Sequence, residues 1–321
     1  MMTTTALIIF FASFLVVLWA GRMLPPALKG IALIFHLPEF VVAFVLVAAA
    51  TSMPELFVGI SSAAQGVSTL SLGNIFGANL ANMTFVIGIA AIIVKKIPQN
   101  GEISKQNFWL VAALVFFPLF LAFDGVISRA DGLALLVVFG MYFAKIFHDR
   151  HYFRKASQHG KNEPPGLHSS RNVFVQISHF SLSLALLIGS SFTLIWAARI
   201  LAETYFSSNF FLFGTLFLSI GTTLPELAFA IRAAGAGQTG AIIGNALGTV
   251  AFNGAGIVGL VALLHPIEYA LSREGFLVAG ALFLSFAFFY LSLYAGKGIG
   301  RAGGVLLIAL YLVFAVVTLF F

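Results

Sequence analysis

The sequence predicts an all-α polytopic membrane protein, with ten transmembrane helices arranged as two inverted five-helix repeats. Three observations predict it. Of the 321 residues, 60% are hydrophobic and only 9% are charged, whereas about a quarter are charged in an ordinary soluble domain. The apolar residues fall into ten runs, most of them near the roughly 20 residues that span a hydrocarbon core. A motif pairing proline with glutamate in the first half returns in the second at a constant offset of 171 residues.

The runs are expected at about 5–24, 39–64, 71–94, 108–123, 130–148, 176–198, 210–235, 241–264, 276–295 and 302–321. The first begins after Met1-Met2-Thr3-Thr4-Thr5, which lacks the basic n-region of a cleavable signal peptide, so it is expected to be retained. Between the fifth and sixth runs lies the longest polar segment. It carries Arg150, Arg154, Lys155, Lys161, Arg171 and the bend Pro164-Pro165-Gly166. This divides the chain into a first half (1–148), a linker (149–175) and a second half (176–321), the linker being too short and polar to fold alone.

Placing the linker in the cytoplasm fixes the remaining connections. Arg22, Lys29, Lys95, Lys96, Lys105, Lys145, Arg232, Lys297 and Arg301 then lie inside. Only Arg129, Arg199 and Arg273 lie outside, beside Asp124, Asp131, Glu203, Glu268 and Glu274. That bias is the positive-inside pattern, and it puts both termini outside, in a plasma or inner membrane. Five spans per half turn the second half upside down relative to the first. The net charge of +6 is spread over these short connections, so it points to membrane orientation and not to nucleic acid. With no cysteine, disulfides, thiolate metal sites and cysteine nucleophiles are excluded.

The repeat is most informative around Ala50-Thr51-Ser52-Met53-Pro54-Glu55 and Gly221-Thr222-Thr223-Leu224-Pro225-Glu226. Downstream, Gly66 corresponds to Gly237, Gly73-Asn74 to Gly244-Asn245, Gly77 to Gly248, Asn82 to Asn253 and Gly88 to Gly259, without a gap. Proline cannot donate a backbone hydrogen bond, so Pro54 frees the carbonyl of Ala50 and Pro225 that of Gly221. At membrane depth such carbonyls persist only where protein, water or an ion meets them. Thr51 and Glu55 lie one turn apart on one helix face, as do Thr222 and Glu226.

Each half thus offers a carboxylate, a hydroxyl and a free carbonyl. These are hard oxygen donors suited to Na⁺ or Ca²⁺. The next run adds a stripe of Asn74, Ala78 and Asn82 in one half and of Asn245, Thr249 and Asn253 in the other. Asn74 and Asn245 read as interhelical hydrogen-bond glue, a role also open to Asn82 and Asn253. Gly73 with Gly77, and Gly244 with Gly248, would let a neighbouring helix approach closely. Inversion brings Glu55 and Glu226 together near the midplane. Two carboxylates in a dry site need a cation or a proton between them. One Ca²⁺, or two or more Na⁺, would serve, and competition between them would give exchange.

These motifs resemble the cation/calcium exchanger superfamily, whose two α-repeats carry a Gly-Thr-Ser-Leu-Pro-Glu-type motif followed by Gly-Asn-x-x-Gly-Ser-Asn. The resemblance covers about 40 residues in each repeat. It implies antiport of outward Ca²⁺ against inward Na⁺ by alternating access, with the first spans of the two halves sliding against a fixed core. It further implies cation ligands at Glu55, Glu226, Thr51, Thr222, Ser52, Thr223, Asn82, Thr249 and Asn253. It implies no cofactor, the transported Ca²⁺ and Na⁺ being the only ligands. Two departures stand out. Ala78 replaces the family's serine while Thr249 keeps a hydroxyl, and Asn82 and Asn253 are neutral where an acid is often found.

The nearest alternative is an H⁺/cation antiporter, since crowded carboxylates can carry protons. A cation channel fits two symmetric, sealed helix breaks less well. An intramembrane hydrolase lacks its motifs: neither His-Glu-x-x-His nor Gly-x-Ser-x-Gly is present. His148, His151, His159 and His168 are irregularly spaced and read as solvated. The partners expected are the bilayer and the transported cations. Oligomeric state stays open.

Overall fold

The computed structural model describes residues 2–34, 51–98, 105–148, 170–269, 272–295 and 298–320. It is almost entirely helical. The helices are α1 (Met2–Ile34), α2 (Met53–Ala64), α3 (Ser68–Val94), α4 (Lys105–Leu121), α5 (Arg129–His148), α6 (Ser170–Tyr205), α7 (Phe210–Gly235), α8 (Thr239–Leu264), α9 (Arg273–Tyr290) and α10 (Arg301–Phe320). Among the described residues, eight helices are long and apolar enough to cross a membrane. They are α1, α3, α4 and α6 to α10.

The expectation of ten spans is met only in part. Residues 39–50 of the second run lie outside the described residues, leaving the twelve-residue α2. The fifth run forms the 20-residue α5, whose ends carry Arg129, Asp131 and Lys145, and it is not among the eight. Helices also overrun their expected ends. α1 continues through Pro25 and Pro26 to Ile34, so Arg22 and Lys29 lie on helix and not in a loop. α6 begins at Ser170, inside the expected linker, and reaches Tyr205. Arg199 and Glu203 therefore sit one turn apart on its exposed face, where Arg199 Nε donates to Glu203 Oε1 at 2.9 Å. Ion pairing at i, i+4 extends the helix past the apolar run that marks the bilayer.

Equivalent residues build equivalent elements. Met53–Ala64 has its counterpart in Leu224–Gly235, and each has proline in its first turn, where the missing N–H is not needed. Both end on a glycine with positive φ, +70° at Gly66 and +68° at Gly237. Around Gly66, the N–H of Val67 reaches the carbonyl of Ser62 (2.9 Å) and that of Gly66 reaches Ala63 (3.1 Å). Gln238 to Ala233 (2.9 Å) and Gly237 to Ala234 (3.0 Å) repeat the arrangement. Glycine allows this left-handed stop at no steric cost. Inside α3 and α8 the backbone widens to π-helix, at Asn82–Val86 and Phe252–Ile257.

Short antiparallel pairs tie the two halves at both ends of the bundle. At one end β1 (Lys96–Ile97) pairs with β4 (Ile299–Gly300), and Arg301 Nε donates to the carbonyl of Ile92. At the other, β2 (Val126–Ile127) pairs with β3 (Ile267–Glu268). There Thr69 Oγ1 donates to the Glu268 carbonyl, and Asn209 Nδ2 to Glu274 Oε1.

The buried apolar side chains form two clusters. The larger joins α3, α4, α5 and the second half from α7 onward. The smaller joins α1 to α6, touching the rest through a few residues such as Val58, Leu70, Phe213 and Leu218. A part-buried hydroxyl pair, Ser13 Oγ to Thr193 Oγ1 at 2.8 Å, also ties α1 to α6. The pair packs as a unit beside the main body.

Candidate functional site

The site grows out of two helix breaks. In α7 the helix stops at Thr222 and restarts at Leu224, because Pro225 has no N–H for the Gly221 carbonyl. Thr223 bridges the break: its N–H bonds the Ser219 carbonyl at 3.1 Å, and its own carbonyl accepts from Leu227 at 3.0 Å. Ser52 does the same before α2, accepting from Leu56 at 3.0 Å. The Ala50 carbonyl lies outside the described residues. Glu55 and Glu226 emerge one turn beyond these breaks, both with no exposed surface. Glu55 lies close enough for its charge to act on Glu226.

The two halves exchange side chains across the site. The Thr222 hydroxyl faces Glu55, and the Thr51 hydroxyl faces Glu226. Thr222 Oγ1 also donates to Asn74 Oδ1 on α3 (3.1 Å), whereas Thr51 Oγ1 lies 3.4 Å from Thr249 Oγ1 on α8. At the centre, Asn79 Nδ2 donates to the carbonyl of Val250, its own counterpart 171 residues on, at 3.3 Å. A contact between equivalent positions marks where the two halves meet.

Of the expected site residues, Glu55, Glu226, Thr51, Thr222 and Thr249 are brought together in this way. Ser52, Asn82 and Asn253 are fully buried nearby in sequence and element. Thr223 is different: its hydroxyl donates to the Ser219 carbonyl at 2.6 Å, back onto its own helix. Both oxygens of Glu55 and of Glu226, Ser52 Oγ, and Oδ1 of Asn82 and Asn253 have no hydrogen-bond partner. The glue role open to Asn82 and Asn253 is not played by their side chains. Both lie at the start of π segments, Asn82 as the first residue and Asn253 as the second, and such segments are often found where a helix serves function.

Asn74 does act as glue, as expected. Asn245 differs: its Oδ1 is unpartnered, while Thr51 Oγ1 lies 3.4 Å from Thr249 Oγ1. The donor set is rich in buried hard oxygens and holds no nitrogen or sulfur ligand. It suits an alkali or alkaline-earth cation.

Close packing is set by glycine. A Cβ on Gly73 would strike the Phe211 carbonyl, and one on Gly77 the Thr215 carbonyl and Ser219. A Cβ on Gly221 would meet the ring of Phe14 on α1, and Gly21 of α1 lies against Pro54. α1 therefore presses on both breaks. Neither Phe14 nor Asn79 was legible as a site residue. A phenylalanine in a run of apolar residues carries no positional signal, and Val250 gives no polar counterpart to Asn79.

Comparison with known proteins shows the family. The model of the sodium/calcium exchanger protein family matches residues 5–147 and 176–320, nearly the whole chain. The chain belongs to the sodium/calcium exchanger family. It is therefore a membrane antiporter for cations and not an enzyme. It is 27% identical over 318 residues to the inner membrane protein YrbG of Escherichia coli K12, covering 96% of this chain and 94% of that one. It is 26% identical over 321 residues to the sodium/calcium exchanger MaX1 of Methanosarcina acetivorans, covering 87% and 88%. Its fold matches the sodium-calcium exchanger NCX_Mj soaked with Na⁺ and Sr²⁺, with a TM-score of 0.62 at 23% identity over 99% of this chain and all of the other.

Proposed function

We propose that this antiporter exports Ca²⁺ in exchange for entering Na⁺, at one site shared by Glu55 and Glu226 near the membrane midplane. The observation that carries the reading is the pairing of two fully buried, unpartnered acids from opposite halves, each facing a threonine of the other half. Burying two carboxylates in an apolar interior is costly unless positive charge meets them. One divalent or two monovalent cations balance them. Occupancy by one kind therefore displaces the other, which is the physical basis of exchange.

In this reading the ligands are Glu55 and Glu226, with Thr51, Thr222, Thr249, Ser52, Asn82 and Asn253, and the carbonyls of Ala50 and Gly221. Thr223 contributes through its backbone, its hydroxyl being turned onto Ser219. The two halves (1–148 and 176–321) form inverted five-helix repeats joined by the linker 149–175. The matched breaks, π segments and glycine stops support this. The end that gathers Lys95, Lys96 and Arg301 faces the cytoplasm with the linker, and both termini lie outside an inner or plasma membrane.

α1 and α6 supply the moving part. They form a separately packed pair, and α1 covers both breaks through Phe14 and Gly21. Sliding this pair along the core would open the acids to one side or the other.

Ca²⁺ uptake into proteoliposomes tests the reading. Uptake should respond to an imposed Na⁺ gradient and not to a pH gradient. The reverse result would assign the same acids to proton-coupled transport.

A further inference from the structure

We infer that Gln65 latches the α1/α6 pair to the main body, and that it does so at one end of the molecule only. The inference rests on the sliding motion proposed above and names a residue that restrains it.

Gln65 closes α2, four residues before Thr69, whose hydroxyl bonds the carbonyl of Glu268 in the β2–β3 pair. Its side chain crosses to the moving pair: Nε2 donates to the carbonyl of Phe192 on α6 at 2.9 Å. A carbonyl oxygen has two lone pairs, so Phe192 can accept this bond and still serve its own helix. The next residue, Thr193, meets Ser13 of α1 at 2.8 Å. Adjacent residues of α6 thus fasten it to its partner helix and to the body.

The surrounding interface differs in kind. Val58, Leu70, Phe213 and Leu218 meet the pair with apolar side chains. Apolar burial is non-directional and fixes no register, whereas a hydrogen bond does. Sliding α6 by one turn, about 5.4 Å, takes the Phe192 carbonyl out of range. The carbonyls nearly one turn back, of Gly189 and Ser190, are already faced by Thr193 Oγ1 at 3.2 and 3.0 Å.

The repeat supplies the control. The 171-residue offset takes Gln65 to Ala236 and Phe192 to Gly21. The two backbones match: the Gln65 N–H bonds the Ser61 carbonyl and the Ala236 N–H that of Arg232, both at 3.1 Å. Each residue precedes a left-handed glycine. Only the side chain differs, and alanine brings no donor to α1. Sliding toward the opposite access state engages this mirror contact and finds no bond there. The state with Gln65 on Phe192 is therefore favoured over the other.

Spin labels test this directly, since a chain without cysteine takes them only where they are introduced. Ile177→Cys on α6 and Ile93→Cys on α3, both exposed, report the slide by double electron–electron resonance in nanodiscs. Gln65→Ala should lower the population ratio favouring the latched distance by roughly threefold, the scale of one interhelical hydrogen bond in a membrane. Alanine ends the same helix at position 236, so this variant should fold. Gln65→Met, which keeps the length and loses the amide, should match it. An unchanged ratio in Gln65→Ala would overturn the latch. So would a wild-type ratio in Gln65→Met, which assigns the effect to side-chain size. A single distance at saturating Na⁺ and Ca²⁺ alike would overturn the sliding motion and the latch with it. The distances are read without transport. Absence of Na⁺-driven Ca²⁺ uptake would therefore overturn the proposed exchange and leave the latch standing.

Discussion

Thr51 and Thr222 hold equivalent places in the two halves, yet their hydroxyls go different ways. Thr222 donates to an asparagine on the neighbouring α3, and Thr51 meets a threonine on α8. The positions beside them differ as well: Thr249 supplies a hydroxyl where its counterpart Ala78 has none. The scaffold beneath is nearly a copy: matching proline breaks, matching left-handed glycines and matching π segments. The repeat thus keeps the backbone breaks, the acids and their threonines alike in both halves, and differs beside them at positions 78 and 249.

The largest expected effect tests whether the halves are equal where they share one ion. Glu55→Gln and Glu226→Gln should each reduce Na⁺-driven Ca²⁺ uptake to the level of empty liposomes, with a normal elution profile in detergent. Full uptake by either variant would mean that only one acid serves the cargo.

Packing comes next. Gly73→Val and Gly77→Val drive side chains into the carbonyls of Phe211 and Thr215. In a close-packed interior such overfilling costs about 1–3 kcal/mol or more. Both should lower thermal stability in detergent sharply, and an unchanged melting temperature would contradict the close contact between α3 and α7.

The glycine stops give a matched pair. Gly66→Ala and Gly237→Ala each force a Cβ into left-handed backbone, costing about 1–2 kcal/mol. Equal losses of stability, with exchange kept in both, would sharpen the claim that the scaffold is symmetric.

The smallest effect separates the flanks. Thr222→Val leaves Asn74 without its donor and should cost about 1 kcal/mol, the scale of an interhelical hydrogen bond in a membrane. Thr51→Val, which removes the hydroxyl facing Glu226, should shift the Na⁺ concentration that half-inhibits Ca²⁺ uptake more than Thr222→Val does. The opposite pattern would exchange the roles of the two flanks.

Much of this was legible in the sequence, for definite reasons. Proline beside a buried glutamate is conspicuous in an apolar run, and its recurrence at a fixed offset located both breaks. The acids, the threonines and the close-packing glycines Gly73 and Gly77 followed. Helix ends were less legible, since hydropathy marks the bilayer and not the helix. α6 continues to Tyr205 on an Arg199–Glu203 ion pair that no hydropathy run records. The π segments at Asn82 and Asn253 leave no pattern in residue type, and Phe14 looks like any lipid-facing aromatic. The hydroxyl of Thr223 was expected at the site, but a one-turn bond to its own helix was the nearer partner.

The central claim is that Glu55 and Glu226 grip one cation between them. A crystal structure of the protein soaked in Ca²⁺ tests it most directly. The account predicts a single divalent ion with oxygen ligands from both carboxylates at about 2.3–2.6 Å, the range for Ca²⁺. Acids held apart, or joined to each other with no ion between them at saturating Ca²⁺, would contradict it.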